Sequence, residues 1–181
     1  MSKIITIPSQ ELFIPPDRFI NTKETKIKIE HSLVAIAKWE AKWHVAFLDD
    51  KVEKTNEMMI DYIRCMTISQ NVDPNIYYYI PADVMKEIND YIDDPMTATW
   101  FSDNGPKGRN GEVITSEIVY YWMIAQNIPP EYDKWHFNRL MTLIRVCGEK
   151  NKDPKKMSKR DILSRNKALN AARRKASGSK G

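Results

Sequence analysis

The hydrophobic period of this chain changes once, near residue 31, and that change limits the folds open to it. Before it, apolar residues come in short runs or alternate. Ile4, Ile5 and Ile7 form one run, closed by Pro8, and Glu11 to Ile14 forms another before Pro15 and Pro16. Lys26-Ile27-Lys28-Ile29-Glu30 alternates charged and apolar residues, the pattern of a strand with one buried face. The connections between these runs are too short for parallel crossovers, so a small antiparallel sheet is expected.

After residue 31 the spacing is helical. Ser32 is a cap candidate, followed by Leu33, Ile36, Ala37, Glu40, Trp43 and Phe47, a stripe that only Glu40 interrupts. A second helix is expected from Thr55 through Met59, Tyr62, Ile63 and Met66, and a third from Pro81 through Val84, Ile88, Tyr91 and Ile92. Thr115 or Ser116 opens a fourth, with Ile118, Tyr121, Trp122 and Ala125 expected inward. The fifth runs from about Glu131 to Cys147, with Phe137, Leu140, Met141 and Ile144 inward and Gly148 just past its end. The fold class is therefore α+β: a small N-terminal antiparallel β-sheet (strands within 1–30), a mainly helical body (helices within 32–147) and a basic C-terminal arm.

Charge sets that arm apart. Residues 148–181 hold twelve Lys and Arg against three acids, a net charge of +9, which leaves −5 for residues 1–147. Such a split marks an interaction arm. Ser158 stands three residues before Asp161, a helix-start signal, and Ile162, Leu163, Leu169 and Ala172 are the main apolar residues that follow. That stripe is too thin to fold alone, so the arm is expected to be partly helical or disordered and to firm up on a partner.

The residues offer little to an enzyme. His31, His44 and His136 have no second His or Cys at ligand spacing, so no metal is expected. The loop from Gly105 to Gly111 precedes a helix, but no Lys-Ser or Lys-Thr pair follows its glycines, and Pro106 removes an amide donor. Asp49-Asp50 and Asp93-Asp94 sit beside helix ends, where acids are normally solvated, and no nucleophile motif is present. Cys65 and Cys147 read as buried small hydrophobes. No catalytic residue and no cofactor is expected. The N-terminus lacks a signal-peptide pattern and no run of about 18 apolar residues occurs, so the expected location is the cytoplasm, with no membrane contact.

Five tryptophans and Tyr77-Tyr78-Tyr79 remain. Most should pack the core. Trp39 falls off the main stripe and shares a face with Trp43 beside Lys38 and Lys42, a combination that suits a protein groove or a stacked base. The candidate partner-binding residues are accordingly Trp39 and Trp43, with Lys156, Lys159, Arg160, Arg165, Arg173 and Arg174 of the arm.

Several stretches carry a resemblance: Glu30-His31-Ser32-Leu33 with Lys38-Trp39-Glu40, Met96 to Phe101, Ile114 to Met123, Asn138-Arg139-Leu140, and Lys155 to Ser158 with Ser164-Arg165-Asn166. In this order they resemble the tail assembly chaperones of long-tailed bacteriophages. The resemblance implies a non-enzymatic helper, working in the host cytoplasm, that coats the tape measure protein during tail assembly, and the charge of the +9 arm adds self-association through the acidic bodies of other copies as an expectation. It carries no functional residue over position by position. Two other functions are compatible with the sequence: a nucleic-acid-binding accessory that uses the basic arm, and a structural tail or neck component of the virion.

Overall fold

A computed structural model describes residues 2–14, 18–101, 113–151 and 159–177. The chain divides into two compact units, Met1–Cys147 and Gly148–Gly181. The first is α+β, an antiparallel β-layer at the N-terminus followed by helices.

Four strands form two nested antiparallel pairs. β1 (Lys3–Ile7) pairs with β4 (Thr25–Ile29), and β2 (Glu11–Ile14) pairs with β3 (Arg18–Asn21) as the hairpin between them. β3 follows the Pro15-Pro16 break and was not among the expected strands. In the outer pair Ile5 lies opposite Ile27. Ile5, Ile7, Ile27 and Ile29 are all buried while their neighbours are not, as the two-residue period of a strand requires. The segment after the second helix adds to the edge of β4, with Glu30 N–H donating to Met66 O and Ile68 N–H to Lys28 O, both at 2.8 Å.

The isoleucine face is covered by helices whose starts match local capping chemistry. α1 (Leu33–Trp43) begins at Ser32, whose hydroxyl accepts from Ala35 N–H. His44 ends it in the left-handed region at φ 56°, its N–H returning to Glu40 O. α2 (Asn56–Met66) is capped by Thr55, and α3 (Ala82–Asp93) follows Pro81. α4 (Ser116–Ala125) and α5 (Phe137–Lys150) complete the unit, with 3₁₀ turns at Ile76–Tyr79 and Pro130–Lys134. Leu33, Ile36 and Trp39 of α1, Tyr62 and Met66 of α2, Ile88 of α3 and Leu140 of α5 meet the isoleucines in one core. Cys65 and Cys147 are half-buried, not buried as expected, and partial burial pushes the Cys65 thiol above its ordinary range.

The fifth helix differs from its expected course. Glu131 to Cys147 is not one helix: Pro130–Lys134 is a 3₁₀ turn, Trp135 is extended, and α5 starts at Phe137 and runs through Gly148 to Lys150. The cause is tertiary hydrogen bonding. Phe137 N–H donates to His31 O at 2.9 Å, and the buried His136 ring donates from Nε2 to Tyr91 O at 2.8 Å. These bonds hold residues 135–137 to the β4–α1 junction and to α3.

His31 completes this joint. Its Nδ1 pairs with the Tyr62 hydroxyl, its N–H donates to the Tyr91 hydroxyl, and its ring lies 5.0 Å from that of His136. With Nε2 donating, His136 Nδ1 carries a lone pair, buried without a hydrogen-bond partner. Burial, and then the neighbouring His136, push the His31 pKa down to about 3, and burial lowers that of His136. Both rings are held neutral in the fold. Above pH 6.5 neither state takes up a proton, and stability is full. As pH falls from 6.5 towards 3 only the unfolded chain is protonated at His31, so stability is lost at about 1.4 kcal/mol per pH unit. Urea unfolding should therefore weaken by roughly 2 kcal/mol between pH 7 and pH 5, before carboxylates titrate. An unchanged free energy over this interval would contradict the neutral, buried assignment.

Glu40, the interruption in the α1 stripe, is the other polar anchor and is buried. Its Oε1 accepts from Phe47 N–H and its Oε2 from Ser116 N–H, each at 2.8 Å. One carboxylate thus fixes the loop leaving α1 and caps α4 from outside its own segment. Thr115, at the N-cap position of α4, makes no side-chain capping bond. A carboxylate at a helix N-terminus also meets the positive end of the helix dipole. Glu40→Ala should cost about 3 kcal/mol in urea unfolding, because one buried and one half-buried amide lose a charged acceptor, and Glu40→Gln about half of that. A loss below about 0.5 kcal/mol for the alanine variant would contradict the capping role.

Candidate functional site: an uncovered apolar helix and its groove

α4 reads Ser-Glu-Ile-Val-Tyr-Tyr-Trp-Met-Ile-Ala, with Glu117 its one charged residue. A helix apolar on every side is normally buried on every side. α4 is not. Ser116, Val119 and Met123 face the core, while Tyr121 is 66% and Ile124 73% exposed. The expected inward stripe is overturned here: Tyr121 and Ala125 are exposed, and Ile118 and Trp122 are half-buried. At 100° per residue that stripe lies about 140° from the buried one, towards the opposite side of the helix. Periodicity could not choose between two apolar faces. Tertiary hydrogen bonds settle it, from Glu40 at Ser116 and from the Tyr120 hydroxyl to Asp133 Oδ2 at 3.3 Å.

On another side of α4, about 150° round from Tyr121 and Ile124, lies a groove of about 490 Å³. Trp122 of α4 and Gln126 at its C-cap line it, with Met141, Thr142, Ile144 and Arg145 of α5. Phe101 also lines it, with the Arg145 guanidinium 4.2 Å from its ring centre. Its neighbour Trp100 is 89% exposed. The Gln126 side-chain oxygen is buried without a hydrogen-bond partner. The lining combines aromatic surface with an unbranched thioether, which adapts to irregular apolar partners. Its volume is in the range of ligand pockets, and an open apolar groove between two helices also suits a third helix.

The residues expected to bind a partner are not gathered here. Trp39 is fully buried, which corrects its expected exposure. Its indole N–H donates to Met58 O at 2.8 Å and its ring packs edge-on against Phe47 at 5.1 Å. The core side of α1 is wide enough to take Leu33, Ala35, Ile36, Trp39 and Glu40 together. Trp43 is half-buried and committed to α2, its indole N–H donating to Asp61 Oδ2 at 2.9 Å. The buried Asp61 also pairs with Lys42, which sits over the Trp43 ring.

In the second unit Lys156 lies outside the described residues, as does the loop from Gly105 to Gly111. Lys159, Arg160 and Arg165 belong to α6 (Lys159–Ser177), and Arg173 and Arg174 are exposed on it. Among the described residues no group of three or more His, Cys, Asp or Glu is placed to hold a metal ion. No helix among them is long and apolar enough to cross a membrane.

Neither the groove residues Phe101, Trp122, Met141, Ile144 and Arg145 nor the exposed Tyr121 and Ile124 were expected from the sequence to bind a partner; Tyr121, Trp122, Met141 and Ile144 were expected to face inward. The available signal was one charge in ten residues of α4. No family model, curated protein or solved structure matches the chain.

The two sides of α4 should respond differently to truncation. Ile124→Gln should change the unfolding free energy by no more than about 0.5 kcal/mol, as exposed sites do. Met123→Ala, one residue away, should cost about 3 kcal/mol by opening a core cavity. Equal costs would contradict the orientation of the helix.

Proposed function

We propose that this chain is a non-enzymatic tail assembly chaperone of a long-tailed phage, and that it holds a helical stretch of the tape measure protein against the uncovered face of α4. One observation carries the reading: a helix with one charged residue in ten is left open on the side of Tyr121 and Ile124. Large apolar side chains left exposed on one face of a helix mark a candidate interaction site. Helix-in-groove docking uses such a surface, reading residues spaced by one helical turn. A tape measure helix, long and partly apolar, needs cover in the host cytoplasm until tail tube subunits replace it. The resemblance described above suggests the partner, and the exposed apolar side chains of α4 support docking there.

Co-expression tests the proposal. The tape measure protein should be soluble and co-purify with this chain, and it should be lost when Tyr121→Asp and Ile124→Asp are combined, a change on exposed positions that leaves the body folded. A tape measure protein equally insoluble with and without the chain would overturn the proposal. Mass spectrometry of purified particles separates it from a structural role, since a chaperone is absent from the finished virion.

A further inference from the structure

We propose that α6 is a duplex-DNA-binding helix, a function separate from the groove on the body. The helix runs 19 residues, about 28 Å, and carries seven Lys and Arg against one acid. Charge of that density suits a phosphate backbone, and the arrangement of the other residues selects among anionic partners. Asn166, Asn170 and Arg173 are exposed at spacings of four and three, so they share one strip along the helix. Lys167 and Arg174 each follow one residue round, seven apart, and form a basic flank to that strip.

Asparagine is a poor helix former compared with the lysine and alanine around it. Among the described residues neither Asn166 nor Asn170 finds a side-chain hydrogen-bond partner. Two exposed amides that weaken a helix and bind nothing in it fit a surface that reads donors and acceptors elsewhere. Asparagine and arginine are the side chains that pair with adenine and guanine edges in the major groove.

Three features favour duplex DNA over other occupants. The cylinder of an α-helix, about 10–12 Å across, fits the major groove of B-DNA but not the narrow major groove of duplex RNA. α6 has no Phe, Tyr or Trp on which single-stranded bases could stack. Leu163 and Leu169, its exposed leucines, lie about 120° apart around the axis and do not share one seam. The net charge of −5 on residues 1–147 assigns DNA contact to the arm alone.

The test is fluorescence anisotropy of the full chain with a labelled mixed-sequence duplex two helical turns long, across a salt series. Binding should be present at low salt and weaken with a log–log slope of about −3, as three or four neutralised phosphates require. Replacing Lys167, Arg173 and Arg174 together by glutamine, which keeps helix propensity, should weaken binding at least about tenfold, with thermal unfolding of the body unchanged. Asn166→Ala with Asn170→Ala, which favours the helix, should lower affinity about threefold or more for a sequence selected from a random duplex pool. The proposal is overturned by no duplex binding at low salt, by equal or tighter binding of single-stranded RNA, by a preference for anionic vesicles or an acidic helical peptide, or by a triple variant that binds as the original does. Each outcome is independent of whether the body holds the tape measure protein.

Discussion

A single buried carboxylate sets the geometry on which the rest of the first unit depends. Glu40 belongs to α1, yet both of its oxygens are used outside it, on the amides of Phe47 and Ser116. The first bond turns the chain back so that Phe47 stacks on Tyr62 at 4.1 Å, and the second aims the N-terminus of α4 at α1. Burying a carboxylate is tolerable only when its lone pairs are taken up by donors. Here backbone amides do so, and a neutral apolar residue at position 40 could not. α4 is thereby turned so that Val119 and Met123 fill the core while Tyr121 and Ile124 look outward.

A second polar joint does for α5 what Glu40 does for α4. His31 and His136, with the hydroxyl of Tyr62 and both the hydroxyl and the carbonyl of Tyr91, tie four elements at one point. The bonds of residues 136 and 137 interrupt what would otherwise be a continuous helix. The interruption positions Leu140 and Ile144 for the core and leaves Met141 and Arg145 to line the groove. The groove is thus a by-product of two buried polar connections, neither of which is apolar packing.

Much of the fold was legible because local rules and the final structure agree. The alternation at Lys26–Glu30, the caps at Ser32 and Thr55 and the proline before α3 act within a few residues, and each appears where the sequence places it. The failures share one cause. α4 has apolar residues on both sides, Trp39 lies on a core face wider than one stripe, and the break before α5 follows from bonds between residues 45 to 106 positions apart. None of these choices is encoded locally. Glu40 was read as a flaw in an apolar stripe, whereas its partners 7 and 76 residues away make it the organising contact. The candidate site was illegible for the same reason, since an apolar helix announces burial and only tertiary bonds decide which side stays open.

The central claim is that α4 keeps an apolar face open for a helical partner. Hydroxyl-radical footprinting of the native chain tests it most directly, comparing Tyr121 with Met123 two residues on. Methionine is the more reactive side chain, so burial is the only reason for Met123 to stay silent. The account predicts that Tyr121 is modified and Met123 is not in the free protein, and that Tyr121 becomes protected in the purified complex with the tape measure protein. Modification of Met123 in the free chain, or equal modification of Tyr121 with and without the bound partner, would contradict it.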